Sequence, residues 1–247
     1  MWIKVDLHLH LKNEPLEKQT LGLKDPYWII NQAKLYKFNA LAFACHGMVF
    51  YNDKLWKYAK ERGITLVTAT ETYFMGKHLL IYGIEDVPSK VSLDDIENLK
   101  QQGAVVVAPH PFLSSSTSLG PWIVNNMEFK PDALELTHFS SWFWDINLKT
   151  RKLAEKLGIP LIAGSDTHAW FQFNTAYSYL EVEDINEKSI LNSIRKGKII
   201  PINKWLTPWE FTRELLWEAG NRLKRMGKPV QPPADDQIVR TAHRMEN

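Results

Sequence analysis

Short apolar runs of strand length alternate with amphipathic stretches of helix length from residue 2 to residue 202, and this alternation restricts the fold more than any other feature of the chain. Strands are read at Trp2–His10, Ala40–Ala44, Ile64–Thr70, His78–Tyr82, Ala104–Ala108, Ala133–Thr137, Pro160–Ala163, Ala176–Val182 and Ile199–Ile202. Between them, helices are read at Pro26–Phe38, where the proline suits a first turn, and at Asn52–Arg62, ended by Gly63. Three more are read at Ser92–Gln102, opened by Ser92 with Asp95 and stopped by Gly103, at Asp145–Leu157, closed by Gly158, and at Asn186–Arg195. The runs on either side of Gly76 read as a hairpin. Elsewhere, repeated strand-then-helix units imply parallel pairing with helices outside, which an open sheet and a closed barrel satisfy equally. Leu206–Met226 reads as a long terminal helix and Gly227–Asn247, with three prolines and many charges, as a tail.

Composition narrows the class. At 247 residues and 45% hydrophobic, the chain can bury one barrel-sized core, so a single domain over residues 1–226 is expected, followed by the tail at 227–247. Thirty basic residues against twenty-eight acidic leave a net charge of +2, too near neutral for a nucleic-acid coat. A single cysteine, Cys45, excludes an internal disulfide. No apolar run follows a basic start, so a cytoplasmic protein with no membrane span is the expectation.

The first strand alternates Ile3, Val5, Leu7 and Leu9 with Lys4, Asp6, His8 and His10. Side chains at i and i+2 share a face, so His8 and His10 point the same way, with Asp6 one pleat behind and Lys4 directed into the interior of a barrel. Two neighbouring imidazoles can grip one metal ion. The other histidines and unusual carboxylates gather at the C-terminal ends of the expected strands: His46, Glu71, His110, and Asp166 with His168. Parallel α/β folds place their sites there. Imidazole and carboxylate without thiolate favour zinc, manganese or iron(II) in a catalytic type of site. His243, in the tail, is read as a bystander.

Taken together, Asp6-Leu7-His8-Leu9-His10, His46, Glu71, His110-Pro111 and Gly164-Ser165-Asp166-Thr167-His168 resemble the polymerase and histidinol phosphatase (PHP) family in order and spacing. The likeness runs from Met1 to about Pro201, Ser189–Lys198 resembling the family's closing helix and final strand. The resemblance implies a distorted (β/α)7 TIM-like barrel with two or three divalent metals (Mn, Zn or Fe) at the C-terminal ends of the strands. Carried over by position, His8, His10, Glu71 and Asp166 would hold one metal, Glu71 would bridge to a second held by His78 and His110, and His46 and His168 would hold a third. The family's third site also takes an Asp or His shortly after the H-x-H pair. That residue is absent here, and Glu14 and Glu17 are the nearest carboxylates, separated by the stiff Pro15. Asp6 is expected to orient an imidazole through a hydrogen bond.

The activity that follows is hydrolysis of a phosphate ester by activated water, with Glu71 and Asp166 in the machinery and His138, outside the family's ligand pattern, either facing the substrate or supporting a ligand from behind. That substrate would be a phosphorylated small molecule, a nucleotide or a nucleic-acid end. Two rivals stand beside it: C–N bond hydrolysis on the same barrel, and a non-catalytic RNA-binding or scaffold subunit. Trp142, Trp144, Trp170 and Phe171 are expected at the mouth, either stacking on an aromatic group or packing as a lid. Arg151, Lys149 and Lys152 read as a solvated helix face.

Overall fold

The computed structural model describes residues 1–12, 14, 22, 24–114 and 116–225. Glu17, Pro15 and the expected tail at 227–247 lie outside the described residues. The alternation resolves into β1 (Trp2–Leu9), α1 (Pro26–Leu35), β2 (Ala40–Phe43), α2 (Asp53–Lys60), β3 (Thr65–Val67), β4 (Ala69–Phe74), β5 (Lys77–Tyr82), β6 (Lys90–Val91) and α3 (Leu93–Gln101). There follow β7 (Val105–Ala108), α4 (Gly120–Asn125), β8 (Ala133–Leu136), α5 (Asn147–Leu157), β9 (Leu161–Ala163), β10 (Ala176–Glu181), α6 (Glu187–Arg195), β11 (Ile199–Asn203) and α7 (Pro208–Arg225). Helix starts follow their caps. Asp25, Asn52 and Asn186 each accept a backbone N–H three residues on, and Ser92 and Asp95 form a capping box. The two-residue β6 and the short α4 carry no periodic pattern and were not read from the sequence.

Two ladders result, in the orders β11-β10-β1-β2-β3 and β6-β4-β5-β7-β8-β9. The expected parallel pairing holds for β1-β2-β3 and β7-β8-β9. The hairpin expected across Gly76 is present as antiparallel β4 and β5, while parallel pairing fails for β10, antiparallel to both β1 and β11, and for β5 against β7. Parallel return needs a long crossover. β4 and β5 are joined by a turn at Met75 and Gly76 with φ of 52° and 72°, and residues 164–175 link β9 to β10 without a helix. The strand expected at Ile64–Thr70 also divides. Thr68 leaves both ladders, its N–H donating to Glu187 (2.7 Å) and its carbonyl accepting from Gly83 (2.9 Å), so β3 joins one sheet and β4 the other.

The ladders face one interior, filled by Ile3, Val5, Leu7, Ala42, Val67, Leu80, Val105, Val107, Ile162 and Leu180, with Ile190 and Ile194 of α6 among them. α1 and α2 cover the outer face of the first sheet, and α3 to α5 that of the second. The edges approach each other through a bridge between His46 and Glu71 and through Ser178, whose hydroxyl accepts from Ala163 N (2.8 Å) and donates to Ala163 O (3.0 Å). No helix among the described residues is long and apolar enough to cross a membrane.

β1 departs from simple alternation. Its register against β2 runs Asp6–Leu41 and then Leu9–Phe43, so β1 gains one residue and its two faces exchange. Before this bulge Ile3 and Val5 point inward; beyond it Leu9 and Leu11 pack outward against the α1 layer, and His8 and His10 turn in. The expectation that Lys4, Asp6, His8 and His10 share one face is therefore corrected. Lys4 lies on the outer side, its Nζ donating to Asn174 Oδ1 (2.7 Å) and Tyr36 O (3.1 Å) and sitting 4.1 and 4.0 Å from the Phe38 and Tyr177 ring centroids.

Candidate metal centre

Six of the strands, or the residues just past them, deliver one or two donors each to a common region. His8 and His10 come from β1, His46 from just past β2, Glu71 from β4, His78 from β5, His110 from past β7, and Asp166 and His168 from past β9. His110 and Asp166 have φ of 30° and 48°, in the left-handed region that ordinary residues seldom occupy. Such backbone strain concentrates at functional sites.

Three sets of ligand atoms lie within 4.8 Å of one another: His8, His10 and Asp166; His46, Glu71 and His78; and His10, His46 and His168. His110 approaches Glu71 Oε1 at 3.3 Å and Asp166 Oδ2 at 3.9 Å. The grouping differs from that carried over by resemblance, because His46 faces Glu71 as well as His168. Several of these atoms converge on the same points, acceptors beside acceptors, rather than pairing off one to one. His8 Nε2 and His10 Nε2 stand 3.2 Å apart, and Asp166 Oδ1 lies 3.3 and 3.1 Å from them. Yet Asp166 Oδ1 and Glu71 Oε2, both buried, make no hydrogen bond. Lone pairs converging on shared points, from nitrogen and carboxylate oxygen alone, suit a borderline divalent cation.

The outer nitrogens are held by carboxylates. His8 Nδ1 donates to Glu135 (2.9 Å), which fixes the tautomer that turns Nε2 towards the cluster. His10 Nδ1 and His46 Nδ1 both reach Glu14, at 3.2 Å for His10, and Glu14 also accepts the His46 backbone N–H at 2.7 Å. Glu14 is buried, with both oxygens engaged by these groups. Asp6 does not orient an imidazole. Its Oδ1 accepts the N–H groups of His8 (3.3 Å) and Ser165 (3.1 Å), tying the β1 bulge to the loop after β9, while burial pushes its carboxyl up to about 7.

Electrostatics follow from this packing. Burial would raise the Glu71 carboxyl, but the imidazoles of His78, His46 and His8 hold it well below the usual range; His8 and His168 do the same for Asp166. Burial would lower His8, and Glu135, Asp166 and Glu71 instead raise it well above an ordinary imidazole. His46 likewise rises to about 10, the Glu14 and Glu71 charges outweighing burial. For His78 burial prevails and the shift is downward. The cluster is thus an attractive position for positive charge.

Other expected residues fall around it. His138 lies two residues past β8, buried, with Nε2 3.8 Å from Glu214. Trp142, Trp144 and Trp170 are exposed, Trp144 packs on Phe139 and Phe211, and Phe171 on Trp217 and Arg213. Lys149, Arg151 and Lys152 stand exposed on α5. Glu135, Gln172 and Glu214 were missed from the sequence. Only Glu135 left a signal, as a lone carboxylate within the apolar Ala133–Thr137 run.

Comparison with known proteins agrees with this architecture. A family model described as PHP-associated matches residues 145–199. Two uncharacterized proteins of Methanocaldococcus jannaschii are similar: one is 26% identical over 229 residues, spanning 85% of this chain and 90% of that protein, the other 28% identical over 125 residues, spanning 48% and 73%. Among solved structures, a two-domain protein from Bacteroides vulgatus containing a predicted PHP-like metal-dependent phosphoesterase shares the fold at TM-score 0.61 and 15% identity, covering 87% of this chain and 69% of that one. The lesion-specific endonuclease EndoQ of Pyrococcus furiosus does so at TM-score 0.59 and 19% identity (84% and 60%), and an amidohydrolase of Chromobacterium violaceum at 0.52 and 14% (79% and 97%). The molecule is a mixed α/β protein carrying a histidine and carboxylate cluster at its strand ends. Residues 145–199 thus match the PHP-associated model, and the chain shares its fold with the PHP-like structure and with EndoQ.

Proposed function

We propose that the chain is a metal-dependent hydrolase of phosphate esters. One observation carries the reading: the two oxygens of Glu71 serve different neighbours. Oε1 lies 2.7 Å from His78 Nδ1 and 3.3 Å from His110 Nε2, whereas Oε2 lies 3.0 Å from His46 Nε2 and 3.4 Å from His10 Nε2. A carboxylate so placed fits the shared ligand of two cations, with His8, His10, His46 and Asp166 on the Oε2 side, His78 and His110 on the Oε1 side, and His168 beside His10 and His46. Two or three ions of manganese, zinc or iron(II) bound there would clamp phosphoryl oxygens, acidify a water and offset charge on the leaving oxygen. Glu135 holds the His8 imidazole and Glu14 those of His10 and His46, and burial of most of the set, with His78 and His168 half-buried, limits competition from bulk water.

The substrate class proposed is a phosphorylated small molecule, a nucleotide or a nucleic-acid end, with His138 facing it. Phosphoesterase and endonuclease structures share the fold, and so does an amidohydrolase, which makes C–N hydrolysis the rival. The common interior of the two ladders supports a distorted (β/α)7 barrel. Turnover of p-nitrophenyl phosphate mono- and diesters against cyclic amides, with manganese, zinc or iron(II) supplied, tests the reading. Metal-dependent release of nitrophenol is expected; cleavage of the amides alone would replace the reading, and binding of less than one equivalent of metal would leave the non-catalytic alternative.

A further inference from the structure

Beyond the donor cluster lies a second set of buried polar groups, supplied in part by α7. Glu214, 2% exposed, turns inward from that helix and accepts from Gln172 Nε2 at 2.8 Å. Gln172 Oε1 in turn accepts the backbone N–H groups of His168 and Ala169, both at 2.7 Å. The second oxygen of Glu214 faces His138 Nε2 at 3.8 Å without a hydrogen bond, and His138 Nδ1 also has none. His138 is 5% exposed. It follows β8, the strand between β7, which leads to His110, and β9, which leads to Asp166. Its place on the rim is therefore between two donors of the cluster.

Burying a carboxylate half bonded and an imidazole with an unpartnered nitrogen costs free energy that packing does not return. Nor is α7 patterned as a core helix. Its buried residues are Phe211, Glu214 and Asn221, only one of them apolar, while Trp209, Leu216 and Leu223 are 71%, 66% and 69% exposed. An inward face that sacrifices apolar burial to deliver a carboxylate beside a histidine points to chemistry.

We propose that His138 is the catalytic acid of ester cleavage and that Glu214, facing its Nε2 at 3.8 Å, is the positioning residue that orients its ring; the inference rests on the phosphoesterase reading. The oxygen of a water bonds to phosphorus as the bond from phosphorus to the leaving oxygen breaks. The leaving oxygen takes the proton of His138 Nδ1 and departs as an alcohol. The proton lost by the attacking water passes to solvent, from which His138 is reprotonated, so one water is consumed per ester. Such proton donation matters only where the leaving group is a poor one.

The test compares an alkyl phosphate with p-nitrophenyl phosphate in the wild type, His138→Gln and Glu214→Gln, with bound metal measured in each. Glu214→Gln keeps an acceptor for Gln172 and removes only the charge. Both variants are expected to lose about 10²-fold on the alkyl ester, while turnover of the nitrophenyl ester and metal content stay near wild type. Equal losses on the two esters, or no loss in a folded variant, would overturn the proposal. Should the variants fail to fold, the wild type decides: across a series of aryl and alkyl esters its rate should depend weakly on leaving-group acidity, and a steep dependence sinks the acid role. A metal-loaded wild type that cleaves no ester of the series overturns the phosphoesterase reading itself.

Discussion

Glu135 occupies space that a side chain at residue 164 would need: a Cβ on Gly164 would stand 2.4 Å from Glu135 Oε1 and 2.8 Å from His8 Cβ. The missing side chain of Gly164 lets the loop after β9 close over the pair formed by His8 and Glu135. Gly164→Ala should therefore displace His8, with stability falling by about 1–3 kcal/mol from overpacking. Thermal unfolding and metal stoichiometry check this together. An alanine variant with unchanged melting and full metal content would show that the contact relaxes freely.

Glu71→Gln retains shape and removes the charge placed between two groups of imidazoles. Turnover should fall by more than about 10²-fold, and bound metal should fall below the wild-type content, while the fold stands because the apolar interior lies beneath the site. Circular dichroism with elemental analysis separates the two effects. A folded variant with most of its activity would contradict the shared-ligand role.

Glu14 holds the outer nitrogens of both His10 and His46. Neutralising it in Glu14→Gln is expected to weaken metal binding about 10–100-fold, the usual cost of losing such a support. Calorimetric titration should show the loss at the sites that include His10 and His46. Three equally tight sites in the variant would mean that Glu14 has no part in the centre.

At the β1 bulge, Asp6 accepts two backbone N–H groups, those of His8 and Ser165. Asp6→Ala leaves both without that acceptor in a buried place, at about 1–3 kcal/mol each. Asp6→Asn keeps an oxygen there and should be much the milder change. Denaturant unfolding of the two variants tests the order, and an alanine variant as stable as the asparagine one would refute the assignment.

Much of this was legible in the chain itself, for local reasons. Strand and helix periods, caps such as Asn52 and Ser92, and the stops at Gly63, Gly103 and Gly158 depend on neighbours in sequence, as does the placing of His46, His110 and Asp166 just past apolar runs. Alternation also predicted one face for Lys4, Asp6, His8 and His10, and there the tertiary structure decided otherwise. The bulge after Asp6 arises from pairing with β2, and it sends Lys4 outward and the histidines inward. Thr68 looks like the middle of one strand because only contacts with Gly83 and Glu187 divide it between two sheets. Glu135 lies 127 residues from His8, and Glu214 lies 42 from Gln172, distances over which no periodicity carries information. The sequence by itself determined which residues can donate to a cation and at which strand ends they stand. Only the tertiary structure decided which carboxylate supports which imidazole, because that depends on packing between segments that meet only once the sheets have formed.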